Sequence, residues 1–271
     1  MPEPAETARP DDAAFAEFAL QAAREAGAAI LPHFRVSIDI EDKGGARGYD
    51  PVTDADRAAE AVIREAVLAR FPDHGIDGEE HGRRPGTSRY TWVIDPIDGT
   101  RSFILGHLHW ATLIALNDGS RPIVGVAHQP FVGESFVAAN GRAEWLRGED
   151  RRALRVRTCL RVEDAIVATT DPRHFQSERE TAAYAVATTG ARLVRYGGDC
   201  YCYTQLAMGL IDIVIETGLQ TYDIQALIPL IENAGGVVTN WAGGRCDAGG
   251  DVLACGDRAL HERLLRRIAS T

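Results

Sequence analysis

The chain has 271 residues, enough for one large domain or two modest ones, each with a real core. Apolar residues make up 45% and charged residues 25%, ordinary for a soluble globular protein, and no apolar run reaches the roughly 18 to 20 residues that span a bilayer. Against 39 Asp and Glu stand 29 Lys and Arg, a net charge of −10 that disfavours nucleic acid as a partner.

Residues 1–12 are rich in Pro, Glu and Asp and read as a disordered tail. They show no basic start and no apolar stretch, so no secretory signal is visible and a cytoplasmic location is expected. From Ala13 to His33 the spacing of Phe15, Phe18, Leu20, Ala22, Ala26, Ala29 and Ile30 predicts a helix. "GGARGYDPV" (44–52) reads as a loop. Thr53 or Asp54 then caps a second helix over about 54–70, with Ala58, Val62, Ala66 and Leu68 near one side. Between 90 and 146, "YTWVID", "WATLIALN", "PIVGVAHQP" and "ESFVAA" predict strands of a largely antiparallel sheet. Strands and helices alternate after about 150: strand "AIVATT", helix 177–189, strand "RLVRY", helix 199–208, strand "DIVIE", helix 222–234, strands "GVVTN" and "DVLACG", helix 257–268. This pattern predicts a second set of α/β layers. The chain therefore divides into an N-terminal α+β region, 13–148, and a C-terminal α/β region, 149–271. Cysteines 159, 200, 202, 246 and 255 include no CxxC pair and read as reduced thiols.

The densest chemistry lies in "WVIDPIDGTRSF", residues 92–103. Pro96 cannot give a ladder hydrogen bond, so a turn is expected after Asp95. That turn lets Asp98 face the same point as Asp95 and frees the Ile97 carbonyl. Gly99 permits close backbone approach. "TRSFI" then opens a helix, and the N–H groups of Gly99 and Thr100 suit an anion such as phosphate. Two carboxylates this close need a proton or a cation between them, and oxygen ligands suit Mg²⁺, Mn²⁺ or Ca²⁺ rather than zinc. An Asx-type turn capping a helix is the plain alternative. "GIDGEEHG" places Glu79 and Glu80 in a glycine-flanked loop, which alone reads as a solvated acidic turn. Asp50, Asp54 and Asp56 surround one helix start, and Asp199 and Asp223 mark two others; singly each reads as a cap or a dipole partner. Asp199 apart, these acids together point to a metal site.

"GEE", "WVIDPIDGTRSF" and "YDIQALIPLIENAGGVVTNW" resemble, in that order, the inositol monophosphatase superfamily of lithium-sensitive, Mg²⁺-dependent phosphomonoesterases. The resemblance runs from about residue 13 to 268. It implies a five-layered α/β/α/β/α fold, a homodimer, and two or three Mg²⁺ ions per site, with Mn²⁺ as a substitute. Its metal ligands fall on Glu79, Asp95, the Ile97 carbonyl, Asp98 and Asp223. Thr100 and Asp50 match the pair that orients the attacking water, and Glu79 also matches a proton acceptor. The Gly99 and Thr100 amides match phosphate contacts, Lys43 a basic loop residue, and Glu80 a supporting position.

"GTRSFILG", "TTDPRHF" and "RYGGDCYCYTQLAMGLIDIVIETGLQTYD" resemble more closely the histidinol-phosphate phosphatase branch. Where that branch commonly carries a serine and a histidine after the two threonines, this chain has Asp171 and Arg173. The branch implies hydrolysis of L-histidinol phosphate by metal-activated water, in histidine biosynthesis. Asp199 and Glu216 would be two carboxylates suited to its cationic end. Rival substrates are inositol 1-phosphate, another sugar phosphate, or a 3′-phosphonucleotide; a rival role is binding to transcription or ribosome machinery. Residues 171–175 are expected near a partner's site or the dimer face. His107, His109, His128 and His174 have no spacing that demands a nucleophile or ligand, and no GxSxG elbow occurs.

Overall fold

The structure is a computed structural model describing residues 10–37, 39–44 and 51–271. The first half runs α1 (Pro10–Ile30), a 3₁₀ turn (Leu31–His33), β1 (Glu41–Asp42), β2 (Pro51–Val52), α2 (Asp54–Arg70), β3 (Gly75–Gly78), β4 (Gly82–Arg84), β5 (Thr91–Asp98), α3 (Thr100–Ile104), β6 (Ala111–Asn117), β7 (Pro122–Gln129), β8 (Glu134–Ala139), β9 (Arg142–Arg147) and β10 (Asp150–Ala153). The second runs β11 (Ile166–Thr169), α4 (Glu178–Thr188), β12 (Leu193–Tyr196), α5 (Cys200–Ala207), β13 (Ile213–Leu219), α6 (Thr221–Ile224), α7 (Leu227–Asn233), β14 (Val237–Thr239), β15 (Gly250–Cys255) and α8 (Arg258–Ile268).

Among the described residues, eight strands form one sheet in the order β10-β9-β8-β7-β6-β5-β3-β4 and five form a second, β12-β11-β13-β15-β14. The large sheet is antiparallel except where β3 runs parallel to β5. In the small sheet β11 is parallel to both neighbours.

Three apolar cores make the layers. Ala19, Ala23, Ile63 and Val67 of α1 and α2 pack on Trp92, Ile94, Ile114 and Val126 of the large sheet. Between the sheets, Leu206 of α5 and Leu227 and Leu230 of α7 meet Leu113, Ala127, Val214 and Ala254. Beyond the small sheet, Ala183 of α4 and Leu260 and Leu264 of α8 cover Val167, Ile213 and Leu253. The five expected layers are therefore present. Each fully buried Leu or Ile contributes roughly 1.5–3 kcal/mol, against about 0–1 for an exposed ion pair, so these cores hold the fold. No helix among the described residues is long and apolar enough to cross a membrane. All five cysteines are free and buried.

The structure departs from the expected elements in several places. Helix α1 already includes Pro10, three residues before the expected Ala13. The buried face of α2 is Ala55, Asp56, Ala59, Glu60, Ile63 and Val67, one residue round from the face expected, because two acids belong to it. "GIDG" is a strand, not a loop, and β4 completes a hairpin with Glu79 and Glu80 at its tip. The expected helix 222–234 is two helices, since Pro229 has no N–H for the Gln225 carbonyl. Strands β9 and β10 were not expected; β10 is an edge strand whose Arg151 and Arg152 resist further pairing.

Candidate active site

Strand β5 does not turn at Pro96. It pairs with β6 at Asp95–Leu113 and again at Asp98–Ala111, three steps against two, which is a β-bulge. In a regular strand, residues three apart face opposite sides. The extra residue brings Asp98 round to the side of Asp95. The Pro96 carbonyl accepts the Thr112 hydroxyl at 2.8 Å, and the Ile97 side chain is anchored in the outer core. The Ile97 carbonyl accepts Thr100 Oγ1 at 3.1 Å and keeps a second lone pair.

One oxygen from each of Asp95, Asp98 and Asp223 lies within 4.8 Å of the others. Asp223 is the third residue of α6, which packs on β5. Its Oδ2 accepts the Gln220 N–H at 2.7 Å, closing a capping box rather than sitting at the cap itself. Parallel pairing places Gly78 beside Ile94, and the Glu79 N–H donates to the Ile94 carbonyl at 3.2 Å. Glu79 thus arrives next to Asp95.

Asp95 is 2% exposed, and its Oδ1 has no partner among the described residues. Burial, then the charges of Glu79, Asp98 and Asp223, push its carboxyl well above the usual range. Burial and Asp199 push Asp98 up to about 7, although the Cys200 N–H donates to its Oδ2 at 2.8 Å. Burial lifts Glu79 to about 7 against the opposing pull of Lys43. Lys43 Nζ donates to Glu79 Oε1 at 2.8 Å and Glu80 Oε1 at 2.9 Å. Burial works against this ammonium, but the two glutamates outweigh it and raise its pKa. An orphaned, buried oxygen inside a cluster of all-oxygen donors fits a hard divalent cation, which Asp95, Asp98 and Asp223 would hold, with Glu79 beside them.

Two buried acids on α2 escaped the sequence reading as site residues. Glu60 is fully buried and accepts the N–H of Glu80 at 2.7 Å and of His81 at 3.1 Å, while Arg64 pairs with it at 3.0 Å. It lies so close to β3 that a Cβ on Gly78 would meet its Oε1 at 2.1 Å. Glu60 therefore fixes the turn that carries Glu79. Glu60→Ala strands two N–H groups and should cost about 2–4 kcal/mol in denaturant unfolding. Divalent-cation affinity by calorimetry should fall about 10–100-fold.

Asp56 accepts both the N–H and the hydroxyl of Thr53 on Oδ2, at 2.8 and 2.6 Å. Its Oδ1 is buried without a partner among the described residues, and burial raises its carboxyl to about 6. Strand β2, just before Thr53, packs against α3, which begins at Thr100. Asp50, the expected partner of Thr100, lies outside the described residues.

Gly99 has φ 88°, and a Cβ there would meet the His109 carbonyl at 2.5 Å and the Asp199 Cβ at 3.2 Å. Asp199 therefore abuts the Gly99–Thr100 turn. It makes no side-chain cap to α5; Ser102 Oγ donates to its Oδ2 at 2.8 Å instead. Arg101 and His109 lie within electrostatic reach of it. Glu216 is 1% exposed and accepts the Thr169 hydroxyl at 3.1 Å and the Thr170 N–H at 2.5 Å. Burial raises it to about 8. His128 is buried against Ser135 at 2.9 Å, and burial lowers it to about 4. His174 Nε2 lies 3.3 Å from Arg101 Nη1, so segment 171–175 borders α3 of its own chain.

Comparison with known proteins gives the family. The protein-family model described as the inositol monophosphatase family matches residues 11–271. The chain is 40% identical over 253 residues to the chloroplastic bifunctional phosphatase IMPL2 of Arabidopsis thaliana, covering 89% of this chain and 71% of that protein. It is 32% identical over 255 residues to a histidinol-phosphatase of Chlorobaculum parvum, covering 94% and 96%. Among solved structures, an inositol monophosphatase from Zymomonas mobilis superposes with a TM-score of 0.84 at 34% identity, covering 96% of this chain and all of that one. With fold, acidic site and family match spanning the same residues, the chain belongs to the inositol monophosphatase family, whose members are phosphatases.

Proposed function

We propose that the protein is a Mg²⁺-dependent phosphomonoesterase that hydrolyses L-histidinol phosphate to L-histidinol and phosphate. The observation that carries the substrate is Asp199, a carboxylate set against the Gly99–Thr100 turn and not spent on capping its helix. A substrate bound there by its phosphate would place an ammonium within reach of it. The likeness to a histidinol-phosphatase supports the same reading.

A bound divalent cation would supply an acidified water and screen the phosphoryl oxygens. The protein's own groups do the rest. Thr100 and the free oxygen of Asp56 orient the attacking water, with Asp50 the partner that the family resemblance puts there. Glu79 accepts the water's proton. The Gly99 and Thr100 amides face the phosphoryl oxygens. Lys43 neutralises Glu79 and Glu80. Asp199 takes the ammonium. Glu216, buried and with its carboxyl raised to about 8, acts behind it by holding Thr169 and Thr170. The assembly would be a cytoplasmic homodimer, with 171–175 near its interface.

Phosphate release with Mg²⁺ tests the substrate, with L-histidinol phosphate and inositol 1-phosphate measured side by side. One charge-assisted hydrogen bond of about 1.5–3 kcal/mol predicts a kcat/KM preference of roughly 10–150-fold for histidinol phosphate. Equal or reversed preference would remove the substrate and leave the metal site standing. Inositol 1-phosphate is the second reading, favoured by the likeness to an inositol monophosphatase.

A further inference from the structure

We propose that Ser102 is a positioning residue for substrate specificity: its hydroxyl holds Asp199 in a strained conformation that aims one carboxylate oxygen into the site. The proposal rests on the reading of Asp199 as the ammonium partner.

The strain is in the backbone. Asp199 has φ 44° and ψ −138°, and only Arg35 and Asn140 share positive φ among the described residues other than glycine. An L-residue in that region is held there by its surroundings, and such residues concentrate at functional sites. Asp199 also stands at the cap of α5, where an aspartate ordinarily accepts the helix's own first N–H groups. Here the roles are exchanged. The Cys200 N–H goes to Asp98 Oδ2 at 2.8 Å, and Asp199 Oδ2 takes Ser102 Oγ at 2.8 Å.

The remaining oxygen, Oδ1, takes no hydrogen bond from any described residue, and the side chain is not sealed from solvent. Ser102 itself is 6% exposed, so its hydroxyl is fixed in the wall. It lies two residues beyond Thr100. One short helix thus presents Thr100 to the reacting end of the substrate and, through Ser102, sets the group that reads the other end. Without the hydroxyl, Oδ2 loses its hydrogen bond, and the carboxylate is free to swing toward Arg101 or His109 and away from its aim into the site.

The test is the ratio of kcat/KM for L-histidinol phosphate to that for inositol 1-phosphate, with melting temperatures of the same proteins. In Ser102→Ala the ratio should fall by about tenfold, and the loss should sit in KM for histidinol phosphate rather than in kcat. Ser102→Thr should recover most of it. Asp199→Gly should lose the ratio yet melt higher, since glycine adopts that φ freely. A wild-type ratio retained in Ser102→Ala overturns the proposal and leaves the substrate reading intact. If the wild type shows no preference, the substrate reading has failed, and the pair is judged by melting alone. Ser102→Ala lowering the melting temperature of the wild type but not of Asp199→Gly then supports the positioning role. Equal effects in both backgrounds overturn it.

Discussion

Asp95→Asn will all but abolish turnover while making the chelated protein harder to melt. The two effects have opposite signs because Asp95 serves charge, not packing. It is buried beside the half-buried Glu79, Asp98 and Asp223, and its Oδ1 has no partner among the described residues. Asparagine keeps the shape and removes an acid that, once ionised, adds a buried charge to a crowded cluster. Turnover should fall on the order of a thousandfold, about 4 kcal/mol in the barrier, as expected when a metal ligand is lost. The pH dependence has a definite direction. Glu79 and Asp98 sit at about 7 against ordinary values of 4.5 and 3.8, so the folded protein binds more protons than the unfolded one between those limits. Their contribution is full below pH about 4 and is lost as pH rises through 7. In chelator the wild type should therefore melt lower at pH 8 than at pH 5, and Asp95→Asn should show a shallower fall. On the proposed reading, Mg²⁺ at 100 times its Kd should add about 2.7 kcal/mol to the wild type and far less to the variant. A wild-type melting temperature indifferent to Mg²⁺ would refute the cation site altogether.

Much of this site was written locally. The run "LIAL" (113–116) is apolar throughout because β6 is buried on both faces, Leu113 and Ala115 toward the inner core, Ile114 and Leu116 toward the helices. Local sequence also placed Asp223 at a helix start and Asp95 in a buried strand, although it ended that strand at Asp95 where the strand runs on to Asp98. Three features were not legible, each because a distant partner decides it. The bulge at Pro96–Ile97 exists only as a register against β6. The buried face of α2 includes Asp56 and Glu60, and apolar periodicity cannot see acids that a turn twenty residues away makes favourable. Asp199 reads as a cap until Ser102, ninety-seven positions earlier, takes its oxygen.

Gly99→Ala should damage stability and turnover together. Two costs add. At φ 88° an L-residue is worse than glycine by roughly 1–2 kcal/mol. The new Cβ would also lie 2.5 Å from the His109 carbonyl and 3.2 Å from the Trp110 Cα. Both neighbours are backbone and cannot swing aside, and Trp110 is fully buried. Either the chain at 109–110 or Gly99 itself must move, and Gly99 lies between Asp98 and Thr100. A displacement approaching 1 Å at reacting groups costs about a hundredfold in rate. Calorimetry should show about 3 kcal/mol lost, roughly 6–12 °C for a chain of this size, with kcat down about a hundredfold. Gly82→Ala separates the two costs. Gly82 also has positive φ, 64°, but a Cβ there meets nothing within 4 Å. It should lose only the backbone cost, about 1 kcal/mol, and keep full turnover. Equal losses at both positions would mean that strain alone is being measured and that the turn tolerates the methyl group. A larger loss at Gly99, shared between melting and kcat, would show that the approach of residues 109–110 to Gly99 is what keeps Asp98 and Thr100 in register with each other.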